Sequence, residues 1–306
     1  MNAGPTERLR LRLTGFSFLA PDEFVYFLAA QFYQGEFSLI TSCTNNLIKN
    51  VSSLHHKKGR LEQKLYLAEG IHLVQEALKS GIMLRYFFWS AKLINSVEGV
   101  QLLEALKGQS EGYEVSETVF SKISETDNPQ GIIALLELPE ERRDLDLSSI
   151  NLGIVIDNLQ DPGNVGTIIR TAWAGALDGI LMTPRSADPY QGKVVRSSQG
   201  GIFHVRIDRG LTPENIFREA EKRHIQIIAG DAKADQVYFE RDLTSPTLIL
   251  VGNEGRGLQE EWEKFSIQKV RIPQPGSAES LNVAVCAGIL IYEAIRQRSM
   301  KGTCKS

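Results

Sequence analysis

Residues 152–182, LGIVIDNLQDPGNVGTIIRTAWAGALDGILM, carry the pattern that decides the fold. They begin with a β-rich apolar run at 152–156 and turn at the Asp-Pro-Gly of 161–163. A helix is predicted to run from this turn through Arg170, and a second strand is predicted at 179–182. A strand, a helix and another strand in succession form the unit from which parallel sheets are built.

The segments that follow extend this alternation. Residues 225–229 and 247–251 are short and almost wholly apolar, which is typical of parallel strands buried on both faces. A long, mostly apolar helix is predicted from 281 to about 298. We therefore expect an α/β domain with a parallel sheet over residues 149–300.

The segment upstream predicts a smaller α/β domain over residues 39–139. Its predicted elements are helices at 71–79 and 115–123 and strands at 84–89 and 131–138. A charged run that begins at Glu140 follows it and predicts a linker over 140–148.

Residues 1–38 follow neither pattern, and we predict a poorly ordered segment there. Its apolar stretch is interrupted by Pro21, Asp22 and Glu23. The uninterrupted part is too short for a signal-peptide core or a membrane span, so no membrane association is expected.

Composition limits the class of protein. The 306 residues contain 34 basic and 37 acidic residues, for a net charge of −3. With 42% hydrophobic and 23% charged residues, the chain matches a soluble globular protein and not a disordered or collagen-like one. Cys43, Cys286 and Cys304 form no CxxC pair, which argues against a zinc site or a disulfide framework and favours a reducing, cytoplasmic compartment.

The first of three glycine-containing turns lies at 161–172 (DPGNVGTIIRTA). Asn164 is a good N-cap residue type for the helix that opens there, and Arg170 follows six residues later. A helix start carries free backbone N–H groups that suit an anion or a polar ligand. Ordinary capping with a surface arginine explains this turn equally well when it is taken alone.

Two further turns share the C-terminal domain. Residues 250–257 (LVGNEGRG) follow a buried strand, and their glycines let the backbone approach a ligand closely. Residues 270–283 (VRIPQPGSAESLNV) hold an extended loop before the last helix, with Ser280 and Asn282 at the first turn. The alternative for the second turn is a solvated ion pair, and the alternative for the third is simple helix capping. None of the turns is a GxxxxGK[ST] or GxGxxG nucleotide signature.

Taken together, the three turns read N-x-G-x-x-x-R-T-A, V-G-N-E-G-x-G and I-P-x-x-G-x-x-E-S-L-N-V-A in chain order. This combination resembles the three motifs of the SpoU (TrmH) class of RNA 2′-O-methyltransferases in the SPOUT superfamily. The segment before them is similar to the L30e-like substrate-binding domain of that family. The residues that carry this second similarity are Ile40–Ser42, Asn46–Lys49, Lys57–Arg60, Ala68–Gly70 and Pro129–Gly131.

The resemblance implies a fold and a cofactor. It implies a SPOUT-type parallel sheet with a C-terminal trefoil knot, preceded by the small L30e-like α/β domain. It also implies that S-adenosylmethionine binds in the knot, with contacts near Gly252, Ile272 and Leu281 and a further contact from Asp231. The long C-terminal helix, with Ile289–Tyr292, would pack in a homodimer, and the alternative is burial within one chain.

The resemblance further implies the catalytic residues Arg170, Asn164, Glu254, Ser280 and Asn282. In the family, the motif-one arginine activates the ribose hydroxyl. Because a guanidinium is effectively never deprotonated, we expect Arg170 to bind the adjacent phosphate and stabilise the developing oxyanion. The other four residues would orient Arg170 and the ribose.

Local charge indicates an RNA-binding element. Residues 45–64 carry five basic residues and a single acid, which gives about +4 in a chain that is net negative. We expect Lys57, Lys58 and Arg60 to contact RNA, although a solvated charged face is the alternative. The neighbouring His55 and His56 lack the partners of a metal site, so no metal is expected.

The sequence therefore predicts an S-adenosylmethionine-dependent RNA (ribose-2′-O)-methyltransferase, with ribosomal RNA as the expected substrate. A transfer-RNA substrate is the alternative within the class. A catalytically inactive RNA-binding or assembly factor and a base methyltransferase are the alternatives outside it. Cofactor binding and the position of the methyl group distinguish these readings.

Overall fold

The computed structural model describes residues 39–140, 145–253, 255, 257–277 and 280–302. The predicted poorly ordered segment 1–38 lies outside the described residues, as do 141–144 of the predicted linker. The described chain is a mixed α/β protein with two sheets, which confirms the predicted fold class.

The first sheet has five strands in the order β1-β4-β3-β5-β2. Strand β4 pairs in parallel with both β1 and β3. The strands are β1 (Leu39–Ile40), β2 (Leu65–Glu69), β3 (Leu84–Trp89), β4 (Glu111–Val115) and β5 (Ile132–Glu137). The helices in this part of the chain are α1 (Asn46–Ser53), α2 (Lys57–Gln63), α3 (Ile71–Lys79), α4 (Val97–Leu106) and α5 (Glu117–Ile123).

The predicted helix at 115–123 was wrong at its start. Val115 is the last residue of β4 and lies opposite Ile40 of β1, so sheet pairing takes that residue. The Ser116 side chain accepts a hydrogen bond from the Val119 amide and caps the helix, which then begins at Glu117.

The second sheet has six strands in the order β11-β9-β10-β6-β7-β8. All five neighbouring pairs are parallel, as predicted for this part of the chain. The strands are β6 (Leu152–Ile156), β7 (Gly179–Met182), β8 (Ile207–Arg209), β9 (Gln226–Gly230), β10 (Thr247–Val251) and β11 (Gln268–Val270). The helices are α6 (Pro162–Ala174), α7 (Gly192–Ser197), α8 (Pro213–Lys222) and α9 (Val283–Met300).

The central strands of this sheet are covered on both faces. Every residue of β6 and of β10 is buried, which explains why their sequences are continuous apolar runs. Leu248 and Leu250 pack in one core cluster with Trp262, and all three are fully buried. This core holds the strands in place, so the positions of their carboxyl ends are fixed.

Two compact units make up the described chain. One contains the residues up to Ser52 together with Glu69–Gln75 and Leu84–Leu135, and the other contains Ser53–Ala68, Glu76–Met83 and the chain from Leu136 onward. This division differs from the single boundary near residue 139 that the sequence predicts. The predicted domain limits and the predicted trefoil knot stay predictions. Within the described ranges, no helix has both the length and the apolar character that a membrane span requires.

Candidate active site

A cavity of about 460 Å³ opens at the carboxyl ends of β9, β10 and β11. In the order β11-β9-β10, these strands are three neighbours at one edge of the second sheet, so the loops that follow them lie close together. All four residues predicted to contact the cofactor line this cavity: Gly252, Ile272, Leu281 and Asp231. Its size falls in the range of small-molecule sites, and ligands of open α/β sheets bind at this end of the strands.

The turn after β10 forms one wall of the cavity. The backbone N–H of Asn253 donates to the Gly257 carbonyl at 2.9 Å, and the Gly257 N–H donates back to the Asn253 carbonyl at 2.8 Å. A Cβ atom on Gly252 would lie 2.6 Å from the Gly257 carbonyl oxygen. The turn therefore closes tightly only because residue 252 is a glycine. The predicted catalytic residue Glu254 lies outside the described residues.

The loop before α9 forms the opposite wall. Ser280 and Leu281 line the cavity, and the side chain of Asn282 caps the helix. Its Oδ1 accepts hydrogen bonds from the Ala284 and Val285 amides at 2.9 and 3.3 Å. The simple capping interpretation is thus correct for this oxygen, but it leaves the amide nitrogen of Asn282 available for another partner.

That partner is Asn164. Asn282 Nδ2 donates to Asn164 Oδ1 at 3.0 Å, which joins the first turn to the third although they lie 118 residues apart. The residue type of Asn164 had suggested that it is the N-cap of α6, but it is not. Asp161 is the cap and accepts a hydrogen bond from the Asn164 amide at 2.8 Å, with Pro162 at the first helical position.

Arg170 is placed differently from the other predicted catalytic residues. It lies on the exposed part of α6 and is not among the residues that line the cavity. Within the part of the chain that the structure describes, its guanidinium has no hydrogen bond or ion pair. The second and third turns thus share one cavity and Asn164 adjoins them, but one chain does not bring Arg170 to the cavity wall.

The cavity also holds charged residues that sequence reasoning missed, Lys269 and Glu263 among them. Lys269 Nζ lies 2.7 Å from Glu263 Oε1 and 3.6 Å from Asp231 Oδ2. The hydrogen bond that Lys269 donates to Glu263 raises the pKa of the Lys269 ammonium above its usual value, with a smaller contribution from Asp231. The cavity therefore has a polar rim at the end of β11, a three-residue strand too short to be visible as a sequence pattern.

The three predicted RNA-binding residues fall into two groups. Lys57 and Lys58 are exposed on α2, and Lys58 forms a loose ion pair with Glu62 at 3.7 Å. Arg60 is only 3% exposed. Its guanidinium donates to Asp188 Oδ2 at 2.7 and 3.2 Å and to the carbonyl oxygens of Leu54 and His55. These contacts hold Arg60 inside the fold, and its contact with RNA stays a prediction.

Burial of the Arg60–Asp188 pair predicts a large effect on stability. Both residues lie in the second unit, with side-chain exposures of 4% and 10%. Replacing Arg60 with methionine would leave a buried carboxylate without its main partner, so we expect a loss of about 3 kcal/mol in the free energy of unfolding. Chemical denaturation measures this loss.

The matched control for that change is Arg218→Met. Arg218 pairs with Glu214 on α8, where both side chains are more than half exposed. Its loss should alter the free energy of unfolding by less than about 1 kcal/mol. Equal effects of the two substitutions would contradict a structural role for the buried pair.

Among the described residues, no group of three or more His, Cys, Asp or Glu side chains could hold a metal ion.

Comparisons with known proteins agree with these features. A sequence model of the SpoU rRNA Methylase family matches residues 151–292, and one of the MRM3-like substrate binding domain matches residues 45–134. An uncharacterized tRNA/rRNA methyltransferase of Synechocystis is 36% identical over 260 residues, which is 85% of this chain and 94% of the relative.

Two better-described proteins are also similar over most of their length. A 23S rRNA guanosine 2′-O-methyltransferase of Bacillus subtilis is 36% identical and covers 83% of this chain and 97% of its own. The crystal structure of an AdoMet-bound rRNA methyltransferase from Sinorhizobium meliloti superposes with a TM-score of 0.73 at 33% identity, over 86% of this chain and 98% of that one. The three motifs, the cavity that the second and third of them line, and these similarities over nearly whole chains show that the chain belongs to the SpoU family of RNA methyltransferases.

Proposed function

We propose that this protein transfers a methyl group from S-adenosylmethionine to a ribose 2′-hydroxyl of ribosomal RNA. The observation that carries the proposal is the cavity lined by the second and third motif loops, to which Asn164 of the first motif is hydrogen-bonded through Asn282. The relatives named above as rRNA methyltransferases, one of them a 2′-O-methyltransferase, support the substrate and the reaction.

The residues of the cavity fit the cofactor. Gly252 allows the tight turn that forms one wall, and Ile272 and Leu281 supply apolar surface for an adenine ring. Asp231 and Glu263 lie on the polar side, where they suit the hydroxyl and amino groups of the cofactor. When bound, S-adenosylmethionine supplies a methyl group on a positively charged sulfur.

The described side chains can then support the reaction at the RNA. A ribose 2′-hydroxyl is a weak nucleophile, so developing negative charge on its oxygen must be stabilised. We assign this role to Arg170, whose planar guanidinium can bind an adjacent phosphate through two hydrogen bonds. Asn164, Ser280 and Asn282 would orient the ribose, and we assign the same role to Glu254.

A homodimer would complete the site. Val285, Ile289 and Tyr292 occupy one face of α9 at helical spacing, and Val285 and Tyr292 are 51% and 52% exposed. Leu290 and Ile291, which had been expected in the dimer, are buried within the chain. Because Arg170 does not line the cavity of its own chain, we propose that Arg170 of the partner subunit serves it.

Ribosomal RNA is the proposed substrate in preference to transfer RNA. The match to a substrate-binding domain at residues 45–134 and the 23S rRNA enzyme of Bacillus subtilis support this choice. We place the protein in the cytoplasm, where a chain with free Cys43 and Cys286 would remain reduced.

Mapping of 2′-O-methylation in total RNA tests the proposal. Deletion of the gene should remove the modification from one ribosomal position, and re-expression of the wild-type protein should restore it. Re-expression of an Arg170→Ala variant should not. An unchanged map of ribosomal RNA, with a loss confined to transfer RNA, would reject the proposed substrate.

Cys286 offers a chemical test of cofactor binding. Its side chain lines the cavity, and burial raises the pKa of its thiol to about 11. Because the thiolate is the reactive form, only about one Cys286 thiol in a thousand is ionised at pH 8. Iodoacetamide should therefore label Cys286 slowly at pH 8 and faster as the pH approaches 11.

Mass spectrometry of the Cys286 peptide measures this labelling. Saturating S-adenosylmethionine should slow it further, whereas labelling of Cys43, which lies outside the cavity, should not change. Rapid labelling of Cys286 at pH 8, or labelling that the cofactor does not affect, would contradict the proposed binding site.

A further inference from the structure

A second concave surface lies apart from the proposed cofactor cavity. This groove has a volume of about 420 Å³ and is lined by residues near the start of α2 and by the loop after β7. His55, His56, Lys57 and Arg60 come from the first of these segments, and Arg185 and Asp188 from the second. All six residues belong to the second compact unit.

The floor of the groove is a neutralised ion pair. Asp188 Oδ2 accepts two hydrogen bonds from Arg60, and Asp188 Oδ1 lies 3.6 Å from Arg209 Nη1. The one carboxylate that lines the groove is thus compensated by two guanidinium groups. It presents no net negative charge that would repel an anion.

The rim of the groove is basic. Lys57 and Arg185 are both exposed, and neither forms an ion pair anywhere in the described part of the chain. His56 lines the groove with them and can donate a further hydrogen bond. Two uncompensated cations over a neutralised floor favour a ligand with negative charge.

The groove is linked to the proposed active site through the start of α6. Pro162, the first residue of α6, lines the groove, and Asn164 lies two residues further along. Asn164 in turn is hydrogen-bonded to Asn282, which follows the cavity-lining residues Ser280 and Leu281. The start of α6 therefore contributes Pro162 to the groove and, through Asn164, a hydrogen bond to the residue that follows the cavity lining.

We propose that this groove binds the phosphodiester backbone of the substrate RNA next to the methylated nucleotide. Lys57 and Arg185 act as the phosphate ligands, and the Arg60–Asp188 pair is a positioning pair that holds α2 against the loop after β7. The proposal rests on the proposed function, because it names the part of this chain that would hold the RNA. Inorganic phosphate has the same ligand chemistry, so the test must separate the two sources.

The test compares salt dependence of RNA binding. The double variant Lys57→Gln/Arg185→Gln and the wild-type protein are titrated with a 23S rRNA fragment transcribed in vitro at several sodium chloride concentrations. Each phosphate contact contributes a slope of about 0.7–0.9 to the dependence of log affinity on log salt. We expect the slope of the double variant to fall by about 1.5 and its affinity to fall at least about tenfold at physiological salt.

A matched control removes two charges elsewhere. Arg218 and Lys222 are exposed on α8 and line neither the groove nor the cavity. Arg218→Gln/Lys222→Gln should keep the wild-type slope. An unchanged slope in the groove variant, or an equal change in the control, would overturn the proposal. Competition by inorganic phosphate at millimolar concentration and matched ionic strength would also overturn the proposal, because it would assign the groove to free phosphate.

Two further measurements separate this proposal from the proposed function. In methyl transfer to the same RNA, the groove variant should raise KM for RNA at least about tenfold and change kcat less than about twofold. Its affinity for S-adenosylmethionine should match that of the wild-type protein. If the wild-type protein transfers no methyl group but the salt slopes differ as expected, the proposed function fails and the groove stands. If transfer occurs with the same KM in both proteins, the groove fails and the function stands.

Discussion

Replacing Arg170 with lysine is expected to lower kcat for RNA methylation at least about 100-fold. A lysine keeps the positive charge but loses the planar fork that can bind a phosphate with two parallel hydrogen bonds. Arg170 is exposed on α6, so the change should leave stability unaffected. Single-turnover methyl transfer at saturating RNA measures the effect on the chemical step.

The control is the affinity for S-adenosylmethionine, which should not change because Arg170 is assigned to the RNA phosphate and not to the cofactor. Arg170→Ala should be at least as inactive as the lysine variant. Turnover of the lysine variant within about threefold of wild type would show that a simple positive charge suffices, and it would reject the bidentate role.

Mixed subunits extend this prediction to the dimer. Arg170→Ala retains an intact cavity, whereas Gly252→Ala retains Arg170. Random pairing on co-expression makes half of the dimers mixed. If the arginine acts on the partner subunit's cavity, each mixed dimer has one complete site. Activity should then recover to about a quarter of the wild-type value. No recovery would place Arg170 and the cavity of a single subunit in the same site.

The second large effect is expected from Gly252→Ala, which should weaken S-adenosylmethionine binding at least about 30-fold, or about 2 kcal/mol. The added Cβ would lie 2.6 Å from the Gly257 carbonyl oxygen and 2.7 Å from its carbonyl carbon. Both are backbone atoms, so the turn must open and disrupt the paired Asn253–Gly257 hydrogen bonds. Isothermal titration calorimetry measures the affinity.

Gly276→Ala is the matched control for this change. Gly276 lies in the loop before α9, and a Cβ atom there would meet no atom within 4 Å. Its affinity for the cofactor should stay within about twofold of wild type. Equal losses in the two variants, or wild-type affinity in Gly252→Ala, would show that the turn after β10 does not shape the binding site.

Strands with continuous apolar sequences could be predicted from the sequence. Residues 84–89, 179–182 and 247–251 were predicted as strands with the same ends that β3, β7 and β10 have in the structure. Burial on both faces explains the success for β7 and β10, whose residues are all buried, whereas β3 has an exposed Arg85 and is recognisable by its aromatic residues. Strands β8 and β11 have three residues each, and β4 contains Glu111, Gly112 and Glu114, so they carry no continuous apolar run.

The candidate site was predicted in part. The glycine-rich turns identified the cavity because a close backbone approach requires glycine at a position such as Gly252. Local charge could not reveal that Arg60 is buried, since its partner Asp188 lies 128 residues away. The hydrogen bond between Asn164 and Asn282 was equally invisible, because each residue alone is a plausible helix cap.

The position of the transferred methyl group tests the account most directly. Purified wild-type protein is incubated with unmodified ribosomal RNA and S-adenosylmethionine that carries a labelled methyl group, and the product is hydrolysed with alkali. Alkaline cleavage requires a free 2′-hydroxyl, so a ribose 2′-O-methyl group protects the adjacent bond. We predict that the label appears in a single alkali-resistant dinucleotide. Label in mononucleotides, or no transfer by a protein that binds both ligands, would contradict the account.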